Sequence, residues 1–114
     1  MKGISRQQME VCRKKSNRYA CLRVLQGERS GIHAHAGWLD ASRVYTRVKG
    51  REEMLLESVY EALEYLADKG YVQFQEKQTD ISEAPVVVYR IVAHGQDLLD
   101  GVIDNDPGVD SEWH

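Results

Sequence analysis

Apolar residues recur with helical spacing in three stretches of the chain and with alternating spacing in a later one. The first stretch, residues 20–25, places its apolar side chains on one side of a helix. Ser5 and Gln8 have the spacing of a capping box, which predicts that this helix starts just after Ser5. Gly27 predicts its end. The pattern leaves open whether residues 5–26 form one helix or two.

Two further helices are predicted in the middle of the chain. The second is predicted from Ala41 to Lys49, with Asp40 as its N-cap. The third is predicted from about Arg51 to Lys69 and ends at the following glycine. Its apolar stripe is spaced 3, 4 and 3 residues apart, and we expect it to be buried: Leu56, Val59, Leu63 and Leu66. The opposite stripe is acidic: Glu57, Glu61, Glu64 and Asp68.

The C-terminal half then changes from helical to alternating spacing. Residues 71–77 and 85–92 are rich in β-branched and aromatic side chains on either side of a polar segment, which predicts a β-hairpin. A short helix is predicted over residues 94–100. We therefore expect one domain over residues 1–102, of mainly α class with a β-hairpin, followed by an acidic, mobile tail over residues 103–114.

Charge is distributed unevenly along the 114 residues, although the formal net charge is only −3. Residues 1–51 hold 12 Lys and Arg against 3 Asp and Glu, and residues 52–114 hold 3 against 15. The halves therefore carry +9 and −12, which predicts a basic surface for an acidic partner, or two surfaces that attract each other between subunits.

Composition and cysteine usage narrow the class of protein. No apolar run approaches the ~20 residues of a membrane span, and the first residues lack a signal-peptide core. We expect a cytoplasmic protein with no membrane contact. Cys12 and Cys21 do not form a disulfide framework, and we interpret Cys21 as a core residue and Cys12 as an incidental thiol.

Two segments carry a resemblance to a known fold: ESVYEALEYLADKGYV at residues 57–72 and VVVYRIVAHGQDLLDG at residues 86–101. The chain resembles winged helix-turn-helix domains of the MarR, PadR and ArsR groups of bacterial regulators. It also resembles small winged-helix proteins of Mu-like bacteriophages. The resemblance implies that the third helix is the one that enters DNA, that the hairpin is the wing, and that the protein regulates transcription as a homodimer through its terminal helices.

The acidic stripe conflicts with deep insertion of the third helix into a DNA groove, because the duplex carries one negative charge per about 1.7 Å of its axis. The first hypothesis is that double-stranded DNA is bound mainly through the second and N-terminal helices. The predicted DNA-contacting residues are Arg43, Arg47, Lys49, Arg51, Ser58, Arg13, Lys14, Lys15, Arg18 and Lys77.

Two other interpretations of the stripe stay open. It is either a solvated helix face or part of a protein-interaction module without specific DNA binding, which pairs with a basic surface such as the N-terminal helix of a second copy. The residues predicted for that contact are Glu57, Tyr60, Glu61, Glu64, Tyr65 and Asp68. Tyr60 and Tyr65 flank the stripe, and aromatic side chains are enriched at subunit contacts.

The sequence offers little other chemistry. His33 and His35 are two imidazoles without further ligands at a metal-site spacing, whereas structural zinc takes four. No nucleophile elbow or phosphate loop is present. We expect no enzymatic activity, no metal, no cofactor and no identifiable small-molecule effector.

Overall fold

The computed structural model describes residues 5–29, 37–48, 54–78, 84–104 and 106–109. It contains four helices and three strands in the order α1 (Arg6–Arg29), β1 (Leu39–Asp40), α2 (Ala41–Val48), α3 (Leu56–Asp68), β2 (Val72–Lys77), β3 (Val86–Ile91) and α4 (Ala93–Leu99). The strands form an antiparallel sheet in the order β1–β3–β2. Three helices are followed by a hairpin, β2 and β3, which β1 extends into the three-stranded sheet. This is a winged helix-turn-helix domain, as predicted.

Helix α1 is one continuous helix, which settles the question that its sequence leaves open. Both hydrogen bonds of the predicted capping box are formed: Gln8 N–H donates to Ser5 Oγ at 3.1 Å, and Ser5 N–H donates to Gln8 Oε1 at 2.9 Å. The predicted end at Gly27 is wrong, since the helix continues to Arg29. A glycine inside a helix costs only about 1 kcal/mol relative to alanine, and the buried Leu22 and Leu25 hold the preceding turns in place.

Helix α2 begins at the predicted N-cap. Asp40 Oδ1 accepts a hydrogen bond from the Arg43 backbone N–H at 2.8 Å, which satisfies one of the donors left free at a helix start. Leu39 and Asp40 also form β1, a strand that the sequence pattern does not predict. Its pairing partner is β3, with Leu39 opposite Tyr89. This short strand fixes α2 against the sheet.

Helix α3 begins five residues later than predicted, at Leu56, and Met54 and Leu55 precede it outside the helix. Its buried residues are Val59, Ala62, Leu63 and Leu66. The prediction that Leu56 is buried is wrong, since its side chain is 36% exposed. The first turn of α3 lies at the edge of the core, where Met54 is buried instead.

Gly70 ends this part of the chain with φ of +79°, as expected of a glycine after a helix. A second glycine, Gly95, allows α4 to approach the start of the wing closely. A Cβ atom at Gly95 would lie 2.3 Å from the Tyr71 carbonyl oxygen. Leu98 of α4 is buried.

The segment after α4 differs from the mobile tail that its composition predicts. Val109 is 2% exposed and belongs to the hydrophobic core. Asp106 accepts hydrogen bonds from two tyrosines of the domain. The expectation of a mobile tail is therefore corrected for residues 106–109, which we call the C-terminal segment. Residues 105 and 110–114 lie outside the described part.

Candidate nucleic-acid interface

Two arginines lie one turn apart on the outward side of α2. Arg43 and Arg47 are both exposed. Arg47 Nη2 forms an ion pair with Glu28 Oε1 at the end of α1 at 2.9 Å, and its side chain is 44% exposed. Exposed pairs of this kind contribute about 0–1 kcal/mol, so a phosphate can compete with Glu28 for Arg47. The α2 face therefore offers one guanidinium without an ion pair among the described residues, Arg43, and one weakly held guanidinium.

The outward side of α3 is acidic, as its spacing predicts. Glu57, Glu64 and Asp68 are exposed, and Leu56–Asp68 contains no Lys or Arg. Tyr60 lies on the same outward side and is 47% exposed. Ser58, predicted to contact DNA, is half-buried. This helix presents carboxylates and an aromatic ring to solvent, without a cation of its own.

Glu61 differs from the other members of the acidic stripe because it contacts α1. Arg18 Nη2 of α1 forms an ion pair with Glu61 Oε1. The Arg18 guanidinium carbon lies 3.7 Å from the centre of the Tyr65 ring, within the range of a cation–π contact. The Arg18 side chain is only 14% exposed. Arg18 and Glu61 therefore form an ion pair within the chain, and the predicted DNA contact of Arg18 and the predicted protein contacts of Glu61 and Tyr65 stay predictions.

The C-terminal segment covers this contact. Arg18 Nη1 donates a hydrogen bond to the Gly108 carbonyl oxygen at 3.0 Å. Tyr65 Oη donates to Asp106 Oδ1 at 3.1 Å, and Tyr71 Oη donates to Asp106 Oδ2 at 2.8 Å. Asp106 thus joins the end of α3 to the start of the wing, while Arg18 joins α1 to α3 and to the segment itself.

These contacts change the acidity of the groups involved. Burial first, and then the hydrogen bond to the charged Asp106, raise the pKa of Tyr71 to about 12. The same causes raise the pKa of Tyr65. For Asp106, burial alone would raise the pKa, but hydrogen bonds from Gly108 N–H and from the two tyrosines, with the Lys69 charge, hold it below its usual 3.8. Asp106 is therefore a carboxylate, and both tyrosines are hydrogen-bond donors, at neutral pH.

Sequence spacing misses Asp106 and its neighbours because their partners are distant in the chain. Asp106, Pro107 and Gly108 form a turn in which Gly108 N–H donates to Asp106 Oδ1 at 2.7 Å. Aspartate, proline and glycine in succession are typical of such turns, and a buried valine follows. That combination is the one local signal that separates this segment from an unstructured acidic tail.

The remaining predicted cations lie in two other places. Arg13 and Lys14 are exposed on α1, and Lys15 is half-buried. Arg13 precedes Glu28, the partner of Arg47, by 15 residues, or about 22 Å along the axis at 1.5 Å per residue. Lys77 is exposed at the end of β2. Arg13 therefore lies far along α1 from the point where Arg47 pairs with Glu28.

The wing contributes a cation that sequence reasoning did not select. Arg90 on β3 lies over the Trp38 ring at 4.6 Å from its guanidinium carbon and donates to Gln73 Oε1 at 2.9 Å. Phe74, on β2 opposite Tyr89, is 62% exposed. Lys49, Arg51 and the histidine pair at His33 and His35 lie outside the described residues, so their predicted roles stay predictions.

Among the described residues, no three His, Cys, Asp or Glu side chains are grouped as a metal site requires. None of the four described helices combines the length and hydropathy that a membrane span needs.

Comparison with known proteins supports the fold. No protein-family model matches the chain, and no curated protein matches it. A PadR family transcription regulator from Clostridium difficile superposes with a TM-score of 0.59 at 16% identity, over 75% of this chain and 81% of that chain. A possible transcriptional regulator from Methanosarcina mazei aligns with a TM-score of 0.49 at 19% identity, over 78% of this chain and 69% of that chain.

The first likeness confirms the predicted winged-helix fold. At such identity it does not carry function with it, because one fold supports many functions. The resemblance to MarR, ArsR and phage proteins stays a prediction.

Proposed function

We propose that this chain is a DNA-binding, transcription-regulator-like protein that contacts the duplex mainly through α2. The observation that carries the proposal is the pair of exposed guanidinium groups, Arg43 and Arg47, on the second helix of a winged helix-turn-helix domain. Arginine suits this role because its planar donors match phosphate oxygens. Lys77 at the end of β2 adds a cation from the wing, and Lys49 and Arg51 follow α2 in the sequence.

Helix α3 contributes little to affinity in this proposal. Its exposed Glu57, Glu64 and Asp68 repel phosphates, so binding is shallow and depends on backbone contacts more than on base contacts. We therefore expect modest sequence specificity and a strong dependence on salt concentration. The similar fold of the PadR family transcription regulator from C. difficile supports this class of function.

A duplex titration at two salt concentrations tests the proposal. Arg43→Ala is expected to weaken binding and to reduce the slope of log affinity against log salt by roughly one, because about one fewer counterion is released. Arg23→Ala is the matched control, since Arg23 is an exposed arginine of α1 that donates to Gln26. If Arg43→Ala and Arg23→Ala both bind the duplex as tightly as the wild type, with the same salt slope, then α2 is not part of the interface.

A second candidate function is protein interaction without specific DNA binding. The acidic outward side of α3 favours it, because exposed carboxylates repel a duplex and attract a basic protein surface. Absence of duplex binding by the wild-type chain at low salt, where electrostatic binding is strongest, would favour this candidate over the first.

A further inference from the structure

We propose that the outward side of α3 binds the basic N-terminal turns of α1 from a second copy of this chain. The two surfaces are the acidic face, formed by Glu57, Tyr60, Glu64, Asp68 and the neighbouring Phe74 of β2, and the N-terminal arm, residues 6–15 of α1. This inference rests on the second candidate function and names its partner. The contact between copies needs no nucleic acid, so it can be tested separately from the proposed DNA binding.

The N-terminal arm is a helix with little cover from its own chain. Every described side chain from residue 5 to residue 14 is exposed. Met9 is 52% and Val11 is 50% exposed. A shallow, largely apolar depression lies beside Val11 and Cys12, bordered by Lys15. A short helical extension is marginal in water on its own, so contact with another surface would stabilise this one.

The charge of the arm selects an acidic partner. It contains four cations, Arg6, Arg13, Lys14 and Lys15, against one carboxylate, Glu10. Two arms would repel each other, so their charge disfavours direct pairing of one arm with another. The acidic face has the opposite charge and includes aromatic side chains that fit against Met9 or Val11.

The acidic face is continuous between α3 and the wing. Phe74 lies opposite Tyr89 in the sheet, and burial first, then the influence of Glu64 and Tyr60, raises the pKa of Tyr89. Tyr60 and Phe74 are 47% and 62% exposed. Aromatic rings surrounded by carboxylates form a surface that suits a helix with apolar and cationic side chains.

Contacts within the chain show how α1 cations bind α3. Arg18 pairs with Glu61 and stacks on Tyr65, which follows Glu61 by four residues. The acidic face carries the same two residue types four residues apart in the reverse order, Tyr60 and Glu64. No cation pairs with Glu64 in the described part of the chain. An arginine or lysine from the arm of a second copy would complete there the contact that Arg18 makes inside each chain.

Charge reversal on each surface tests the proposal with the full chain. The wild-type chain is expected to self-associate at low salt and to dissociate as salt rises, measured by sedimentation equilibrium over a concentration series. Arg13→Glu with Lys14→Glu reverses the arm, and Glu57→Lys with Glu64→Lys reverses the face. Each double variant alone is expected to raise the dissociation constant at least about tenfold, because like charges then meet.

Mixing the two double variants should restore association. The reversed arm then meets the reversed face, and the unchanged arm meets the unchanged face. A chain with all four reversals should also self-associate, which shows that the variants fold. Arg23→Glu is the control and should not alter association. The proposal is wrong if the wild-type chain stays monomeric at low salt, or if neither double variant changes the dissociation constant of the dimer. Neither result would affect the outcome of the duplex titration.

Discussion

The two edges of α3 carry the same pair of residue types one turn apart, yet only one edge is covered. On one edge, Glu61 and Tyr65 both contact Arg18, and the C-terminal segment closes over them. On the other, Tyr60 and Glu64 are exposed. Helical spacing alone does not show which of the two pairs is covered. What separates them is a cation 43 residues away in the chain, which reaches one edge and not the other.

This difference divides the acidic stripe by function. Glu61 contributes to the stability of the domain, because its charge is neutralised where α1 crosses α3. Glu57, Glu64 and Asp68 keep their charge at the surface and set what that surface can bind. The stripe therefore does not act as one surface, because the neighbours of its carboxylates differ.

The largest expected effect comes from removing the cation of the covered edge. Arg18→Ala leaves Glu61 without its partner and removes the stacking on Tyr65 and the hydrogen bond to Gly108. We expect the free energy of unfolding to fall by about 2–3 kcal/mol. Arg13→Ala, on the exposed arm of the same helix, should change it by less than about 0.5 kcal/mol. Urea unfolding measures both.

A second substitution separates the charge of Glu61 from its shape. In the Arg18→Ala background, Glu61→Gln removes the unpaired carboxylate and should recover part of the lost stability. No recovery, or an Arg18→Ala loss as small as that of Arg13→Ala, would mean that the covered edge is no different from the exposed one.

Gly108 tests the cover itself. A Cβ atom at this position would lie 1.8 Å from the Tyr65 hydroxyl oxygen, so Gly108→Ala should push the C-terminal segment away from α3 and cost about 1–2 kcal/mol. Gly27→Ala is the control, because no atom lies within 4 Å of a Cβ there. That substitution should stabilise α1 by roughly 0.5–1 kcal/mol. Thermal unfolding measures both changes, which are expected to be opposite in sign.

Acid should weaken the covered edge through Asp106. The pKa of Asp106 is lowered in the folded chain, so its contribution is complete above the usual value of 3.8 and is lost as pH falls through the folded value. Asp106→Asn should cost about 1–2 kcal/mol at pH 7, and the difference from wild type should shrink below pH 3.8. Urea unfolding across this range measures it.

The exposed Asp104 provides the comparison for that experiment. Asp104→Asn should leave the stability at pH 7 nearly unchanged. A difference between wild type and Asp106→Asn that stays constant down to strong acid would show that the hydrogen bonds of Asp106 do not depend on its charge.

Local signals in the sequence predict the parts of this fold whose partners lie a few residues apart. The Ser5 and Gln8 capping box, the Asp40 cap and the Gly70 stop each involve groups within about one turn, and the structure confirms them. The acidic stripe is also predicted from pitch alone. Gly27 misleads because a helix interior tolerates one glycine when core residues flank it.

The candidate site depends on contacts that spacing does not contain. Asp106 binds Tyr71 and Tyr65, which lie 35 and 41 residues earlier in the chain. The acidic composition around Asp106, taken alone, predicts disorder. Arg18 lies in a basic run, where a solvated or DNA-bound side chain is the natural expectation. Only the packing of α1 on α3 shows that Arg18 points inward.

The smallest expected effect compares the two tyrosines directly. Tyr65→Phe removes the hydrogen bond to Asp106 and should lower the free energy of unfolding by about 1 kcal/mol. Tyr60→Phe removes a hydroxyl from an exposed ring and should cost less than about 0.5 kcal/mol. Both substitutions keep the aromatic ring, so each variant buries nearly the same apolar area as the wild type. Urea unfolding of dilute protein therefore measures the difference between the two hydroxyl groups within a single chain.

The effect of Tyr60→Phe on the free energy of unfolding can also be measured at several protein concentrations, which tests whether the exposed edge contacts a second copy. If the exposed edge binds the arm of a second copy, the substitution can lower stability only at concentrations where copies associate, because binding stabilises the folded state by mass action. The Tyr65→Phe effect should not change with concentration, since its partners belong to the same chain. Equal losses for both tyrosines in dilute solution would contradict the distinction between a covered and an exposed edge.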